Sequence, residues 1–407
     1  MSTDPDIEAA LAAAGLPGGT PGTTAGGPLV IPGVDDLPET PAPRPERWAP
    51  GAATGVGSLP GTAPGEAAAV VVGELPLLPH LPELPARGVG ADMIGRTAAL
   101  LVDLAVEVVP TGWRVTARPG RDQRRARDLL RFDVDALDTA CAGPRPEWVK
   151  VQAAGPWTLA ASVELRTGNR VLTDHGAVRE FLASLGEGLR AHLAEVAERT
   201  GAQVLLQLDE PGLPAVLAGS LPTPSGFGTV RAVPEPDVQD ALEELVAGLG
   251  APVVVHCCAP NPPLALLTRT GVVGVGIDAT LPSISGDTAL PAALDAVGEV
   301  WDAGTPLLLG LVPAMPPRPG QSPDRSDVTA DADPDADPDA VPPALRTLAR
   351  RAFDLADRLG FDRTRLGDLA VPTPTCGLAG ATQEWARTAM RLSRQLGEAF
   401  VDPPESW

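Results

Sequence analysis

The run APVVVHCC, Ala251–Cys258, holds three consecutive valines and no polar side chain before its histidine. A strand covered on one face alternates apolar with polar residues, so a continuous β-branched run reads as a strand buried on both faces. EWVKVQAAGP (147–156), AQVLLQLDEP (202–211), TGVVGVGID (270–278) and GTPLLLGLVP (304–313) also read as buried strands. Segments with apolar residues at helical spacing lie between and after them, at 175–201, 236–249, 343–361 and 382–400. The first closes on Gly201, a helix-stop signal. Upstream, ATGVGSLPGT (53–62) reads as a strand entering a glycine turn, 66–78 as a helix and HLPELPA (80–86) as extended. Residues 95–109 and 127–141 read as helices, and 365–380 as a last extended piece. About eight buried strands alternating with amphipathic helices predict a (β/α)8 TIM barrel rather than an open sheet. In that fold the C-terminal strand ends share one face. Gly57, Ser58, Gly155, Asp209, Glu210, His256–Cys258, Asp278 and Cys376 all follow strands, so the fold would bring them together.

Composition narrows the function. With 407 residues, 44% of them apolar, the chain is globular. A net charge of −21 repels nucleic acid and anionic membranes. The most basic run, RDQRRARDLLR (121–131), is interleaved with acids and leucines, as on a solvated helix face. No apolar run reaches the length of a membrane span. The opening MSTDPDIEAALAAAGLPGG is acidic and lacks the basic start of a secretory signal, so a cytoplasmic location is expected. In a reducing compartment the four cysteines point to metal binding or catalysis rather than disulfides. Residues 1–50, rich in Gly, Pro, Thr and Ala, are expected to be flexible apart from a short helix at 6–14. The barrel is expected over 51–407, interrupted at 321–343 by an acidic insertion that repeats Ala-Asp-Pro-Asp. That insertion lacks the glycine turn and distal glutamate of a calcium loop and is expected to be disordered.

The pair of adjacent cysteines has a geometric reading. Residues i and i+2 of an extended strand point the same way, so His256 and Cys258 can face one point while Cys257 faces the packing on the other side. Asp278 and Cys376 follow two other strands. An imidazole, two thiolates and a carboxylate form a tetrahedral donor set suited to Zn2+.

Five blocks in order, TGVGSLPGT, VKVQAAGPWT, LQLDEPGL, VVVHCC and TCGLAG, resemble the catalytic barrel of cobalamin-independent methionine synthase and its short relatives. The resemblance runs over most of 54–400. It implies a barrel of the uroporphyrinogen decarboxylase/methionine synthase type with zinc on His256, Cys258 and Cys376. The family's fourth ligand is a glutamate, matched here by the shorter Asp278. It also implies methyl transfer to homocysteine or a similar thiol. Asp209 would hold the substrate ammonium, Gly57 and Ser58 its carboxylate, and Glu210 would contact substrate or orient its neighbours. No role is assigned to Lys150.

Three positions depart from the family pattern. Arg87 stands where an acid would contact the substrate ammonium, Ser162 where a tryptophan would stack on folate (Trp157 being offset), and Met315 where a histidine would donate a proton. With no second, N-terminal barrel, these departures favour a methylated corrinoid protein over methyltetrahydrofolate as methyl donor. They also leave open a barrel that binds zinc or thiol without turnover. A uroporphyrinogen decarboxylase-like enzyme would need an arginine-rich N-terminal loop, which ATGVGSLPGT lacks.

Overall fold

Six of the extended runs lie side by side in one parallel sheet. In a computed structural model that describes residues 47–316 and 343–402, the strands are β1 (Ala105–Val109), β2 (Gly112–Thr116), β3 (Trp148–Ala154), β4 (Val163–Glu164), β5 (Gln203–Asp209), β6 (Val253–Cys257), β7 (Gly274–Asp278), β8 (Leu307–Val312) and β9 (Ala370–Pro374). The main sheet runs β3-β5-β6-β7-β8-β9, every pair parallel. Helices such as His175–Thr200, Glu235–Leu249 and Pro291–Asp302 make the crossovers. The longest begins at Asp174, whose carboxylate accepts from the Gly176 and Ala177 amides, and ends at Gly201 in the left-handed conformation. Among the described residues no helix is long and apolar enough to cross a membrane.

Two separate cores show why the strands carry the residues they do. On the outer face, Val149, Val151, Leu206, Leu208, Val255 and Ile277 join the large cluster that packs the sheet against its helices. On the inner face, Trp148, Leu205, Val254, Leu308 and Val371 form a second cluster with Trp48, Ala52 and Leu78. Side chains alternate along a strand, so Trp148 is followed on its face by Lys150 and Gln152, Leu205 by Gln207 and Asp209, and Val254 by His256. Each inner face is thus apolar where its strand begins and polar where it ends. A buried polar tier rests on an apolar plug.

The sequence predicts eight strands closing a barrel; the main sheet has six. The other two passes are present as extended chain without continuous ladders. Thr54 N donates to Pro372 O on β9 at 3.3 Å, and Leu81 N donates to Lys150 O on β3 at 2.9 Å. Lys150 N returns a bond to Pro79 O at 2.8 Å, and Leu59 N donates to Glu83 O at 2.8 Å. Pro79 and Pro82 lack an amide donor, so the pairing appears as the isolated bridges His80–Lys150 and Ser58–Glu83.

The helix expected at 95–109 is shorter and begins earlier, at Met93–Leu100, with the Asp92 carboxylate accepting from Gly95 N. The β-branched AVEVV after it forms β1, which pairs antiparallel with β2 through a turn at Gly112, φ +136°. β4 completes this side sheet. Order also begins before the expected Ala52: Arg47 donates to Gly304 O, and Trp48 is buried in the inner cluster. Residues 1–46, with the expected helix at 6–14, and 317–342, with almost all of the acidic insertion, lie outside the described residues.

One buried group makes stability depend on pH. His192, on the long helix, is held down to about 4 by desolvation and then by the nearby Arg96. Between pH 6.5 and 4 the unfolded chain accepts a proton that the folded chain refuses, so stability falls as pH drops through that window. The loss amounts to about 2–3 kcal/mol. Urea unfolding of wild type and His192→Gln at pH 7 and 4.5 should show a smaller loss in the variant; equal losses would refute this assignment.

Candidate active site

Parallel register assembles the site. Asp209 ends β5 directly beside His256 on β6, and Ala154 on β3 lies on the other side of Asp209. Asp209 Oδ1 is 2.8 Å from His256 Nδ1 and accepts from Gln207 Nε2, also at 2.8 Å. Gln207 Nε2 donates in addition to Val56 O at 2.8 Å. Lys150 Nζ reaches the same carbonyl at 3.2 Å and Gln152 Oε1 at 3.2 Å. Gln152 Nε2 in turn donates to Leu81 O at 2.5 Å. Burial pushes the Lys150 ammonium down to about 8, and the Asp209 and Glu83 carboxylates limit the drop. Burial raises Glu83, against the pull of Arg96.

Glu83, Lys150, Gln152 and Gln207 were not among the expected site residues. Their signal was in the sequence: Lys150, Gln152 and Gln207 are polar interruptions of buried strands, the last two residues from Asp209. Arg87, expected at the site in place of an acid, pairs instead with Asp133 at 2.7 Å. Asp133 also pairs with Arg96, which lies 3.5 Å from Glu83. Glu83, on the second extended pass, is buried on the other side of Arg96.

The two thiols meet. Cys258 Sγ and Cys376 Sγ, 118 residues apart in sequence, are 3.6 Å from each other. Cys258 is half-buried and Cys376 exposed, whereas Cys257 is wholly buried and its thiol is pushed up to about 12 by desolvation. The two thiols share a hydrogen bond. That contact, helped by the Gly377 amide, brings Cys376 down to about 6 and raises Cys258.

Ser58 lies against the loop that carries Cys376: Leu378 N donates to Ser58 O at 2.8 Å, and a Cβ on Gly377 would strike Ser58 Oγ. Gly57 has φ +154°, and a Cβ there would meet Gln152 Cγ at 2.9 Å. The loop 56–58 thus sits between the polar tier and the thiols.

Two expected residues have other partners. Glu210 is fully buried; Oε1 accepts from Trp157 N at 2.9 Å, and Oε2 accepts from Thr158 N and Oγ1 at 2.8 and 2.7 Å. It caps the helix Pro156–Ser162. Burial raises its carboxyl to about 7, and those hydrogen bonds oppose the rise. Asp278 Oδ1 accepts from Thr280 N and Oγ1 at 2.8 and 2.6 Å. Of the remaining positions, Ser162 bonds back to Thr158 O, Trp157 is buried, and Met315 is half-exposed over Gly380.

The donor set fits a metal ion in part. Two thiolates on one tetrahedral zinc, each about 2.3 Å from it, stand about 3.8 Å apart, close to the separation here. Yet the described residues contain no group of three or more His, Cys, Asp or Glu side chains arranged to hold a metal ion.

Residues 51–321 match the family described as the catalytic domain of the cobalamin-independent synthases. The chain belongs to that family. The stretch matched to the synthase family contains Ser58, Asp209, His256, Cys258 and Asp278, and ends before Cys376. Among solved structures, a B12-independent methionine synthase from Shewanella sp. W3-18-1, in complex with selenomethionine, is 13% identical with a TM-score of 0.47, covering 87% of this chain and 98% of its own. A methyltransferase from Methanosarcina mazei is 16% identical with a TM-score of 0.49, covering 86% and 94%. No curated protein matches the sequence.

Proposed function

We propose that this synthase-family chain is a zinc-dependent methyltransferase acting on the sulfur of a homocysteine-like thiol, giving methionine or a related thioether. The observation that carries the reading is the 3.6 Å approach of Cys258 and Cys376, with His256, two residues before Cys258, held at Nδ1 by Asp209. A histidine that ligates a metal through one nitrogen commonly gives the other to a carboxylate, which leaves Nε2 here for the ion. We assign His256, Cys258 and Cys376 as ligands, with Asp278 able to join only by giving up Thr280.

The zinc would supply thiol activation, keeping the incoming sulfur in its nucleophilic thiolate form near neutral pH. The chain's own residues position the rest of the substrate. Asp209 and Glu83 offer carboxylates to an ammonium group, and the Gly57–Ser58 loop offers donors to a carboxylate. Glu210 supports the site by fixing the helix after β3. Ser162 provides no stacking surface and Met315 no proton, which favours a methylated corrinoid protein over methyltetrahydrofolate as donor. The bonds from Thr54 to β9 and from Leu81 to β3 support a (β/α)8 barrel completed by the two extended passes. The barrel would span 51–407, with Arg47 and Trp48 packed against it. Thiols this close call for a reducing compartment, in keeping with the cytoplasm.

The absence of a preformed three-ligand group among the described residues favours a second reading, a thiol-binding barrel without turnover. Metal analysis and a methyl-transfer assay separate the two. Protein purified under reducing conditions should carry about one zinc per chain and methylate homocysteine from methylcobalamin or methyltetrahydrofolate. Zinc or thiol binding without product from either donor would support the binding barrel, and a chain that takes up neither zinc nor thiol would overturn both.

A further inference from the structure

We propose that Gln207 is a positioning residue that couples the zinc-side histidine to the substrate-binding loop. The inference rests on the proposed function and extends it to a residue that touches neither substrate nor metal. A glutamine amide has two N–H groups. Both are committed here, one to Asp209 Oδ1 and one to Val56 O, each at 2.8 Å. The result is one hydrogen-bonded chain across the inner face: His256 Nδ1 to Asp209, Asp209 to Gln207, Gln207 to the Val56 carbonyl, and that carbonyl to Lys150. One end fixes which nitrogen of His256 is available. The other fixes the carbonyl next to Gly57 and Ser58. Gln207 is almost wholly buried, so no water replaces a lost bond cheaply.

The residue type is dictated by its neighbours. Val56 O and Asp209 Oδ1 are both acceptors, so a carboxylate at 207 would set acceptor against acceptor. A methionine has the right length and no donor. A shorter asparagine does not span both partners. Register supplies the rest: Gln207 lies beside Gln152 on β3 and two residues before Asp209, so its amide lies in the same tier as both.

The test is Gln207→Met in the full chain, read by zinc competition with a chromophoric chelator and by steady-state kinetics with homocysteine. Zinc affinity should fall about 10-fold, the lower end for loss of a residue supporting a metal ligand. KM for the acceptor should rise about 10-fold or more, because the loop loses one of its two anchors. The matched control is Gln123→Met. Gln123 is also fully buried and bonded to backbone, at Leu104 O, Ala98 O and Val106 N, but lies outside this tier. It should lose comparable stability with zinc affinity and KM unchanged. If Gln207→Met loses stability but neither zinc affinity nor acceptor affinity, Gln207 is merely structural and the coupling is wrong.

A readout independent of zinc separates this inference from the function it rests on. The chain has only four histidines, so the 15N signals of the metal-free protein are assignable by substitution. Wild type should show His256 locked as the Nδ1–H tautomer, and Gln207→Met should show a tautomer mixture. A wild type that fails to take up zinc in the chelator assay, with a locked His256 that loosens in Gln207→Met, would preserve the coupling while sinking the metal reading. An unchanged His256 would sink the coupling alone.

Discussion

Cys258→Ser is expected to strip the metal and lower methyl transfer at least about 1,000-fold, with the fold intact. Serine keeps the shape of cysteine but remains a protonated hydroxyl at neutral pH, so it cannot replace a thiolate donor. Structural zinc sites bind with about 10–16 kcal/mol in total, so one ligand of three or four accounts for roughly 4 kcal/mol, or about 1,000-fold. Cys376→Ser should match it. Neither side chain is deeply buried, so unfolding by urea should move by less than about 0.5 kcal/mol. Cys257→Ser should behave in the opposite way. That residue is wholly buried on the packing side of β6, so a hydroxyl there should cost about 1–3 kcal/mol and leave zinc in place. Metal analysis beside urea unfolding for all three variants checks the pattern. Metal loss in Cys257→Ser with retention in Cys258→Ser would reverse the assignment of the adjacent pair.

Gly155→Ala is expected to destabilise the chain by about 3 kcal/mol, a large value for one methyl group. Gly155 ends the β3 segment and precedes the helix Pro156–Ser162. A Cβ there would lie 2.5 Å from Glu210 Cδ, well inside van der Waals contact. Glu210 cannot move aside without abandoning the Trp157 and Thr158 amides and the Thr158 hydroxyl. Overpacking alone costs about 1–3 kcal/mol, and each hydrogen bond to a buried charged group adds about 1.5–3 if broken. Gly143→Ala is the control, since nothing lies within 4 Å of its added Cβ. Equilibrium urea unfolding of both variants decides; a Gly155→Ala loss no greater than that of Gly143→Ala would show that Glu210 is not held as described.

The alternation of apolar runs with helical segments was readable before any coordinates, because both patterns are local. β3, β5, β6, β7 and β8 fall inside the runs that read as buried strands, and β9 inside the last extended piece. Two expectations failed for different reasons. The helix expected through 109 ends at Leu100 because the β-branched AVEVV pairs with β2 in a local hairpin. The strand expected to enter a glycine turn at 53–62 depended on partners distant in sequence. The chain near Gly55 stayed unladdered because its neighbours lack amide donors or a matching register. At the candidate site, the i, i+2 relation of His256 and Cys258 was legible from strand geometry. The engagement of Arg87 by Asp133 was not, since it joins residues 46 apart.

Taken alone, the order of residues was enough to establish alternating strands and helices, to separate Cys258 from Cys257, and to identify the family blocks. These follow from side-chain periodicity and local chemistry, which the chain carries wherever it folds. Tertiary structure alone decided that Cys376 Sγ stands 3.6 Å from Cys258 Sγ, that Arg87 is taken up by Asp133, and that Glu210 caps a helix. It also tied Lys150 and Gln207 to the Val56 carbonyl. Each of these is a contact between chain-distant groups set by parallel register and burial, and no local pattern encodes which distant partner a buried polar atom will find.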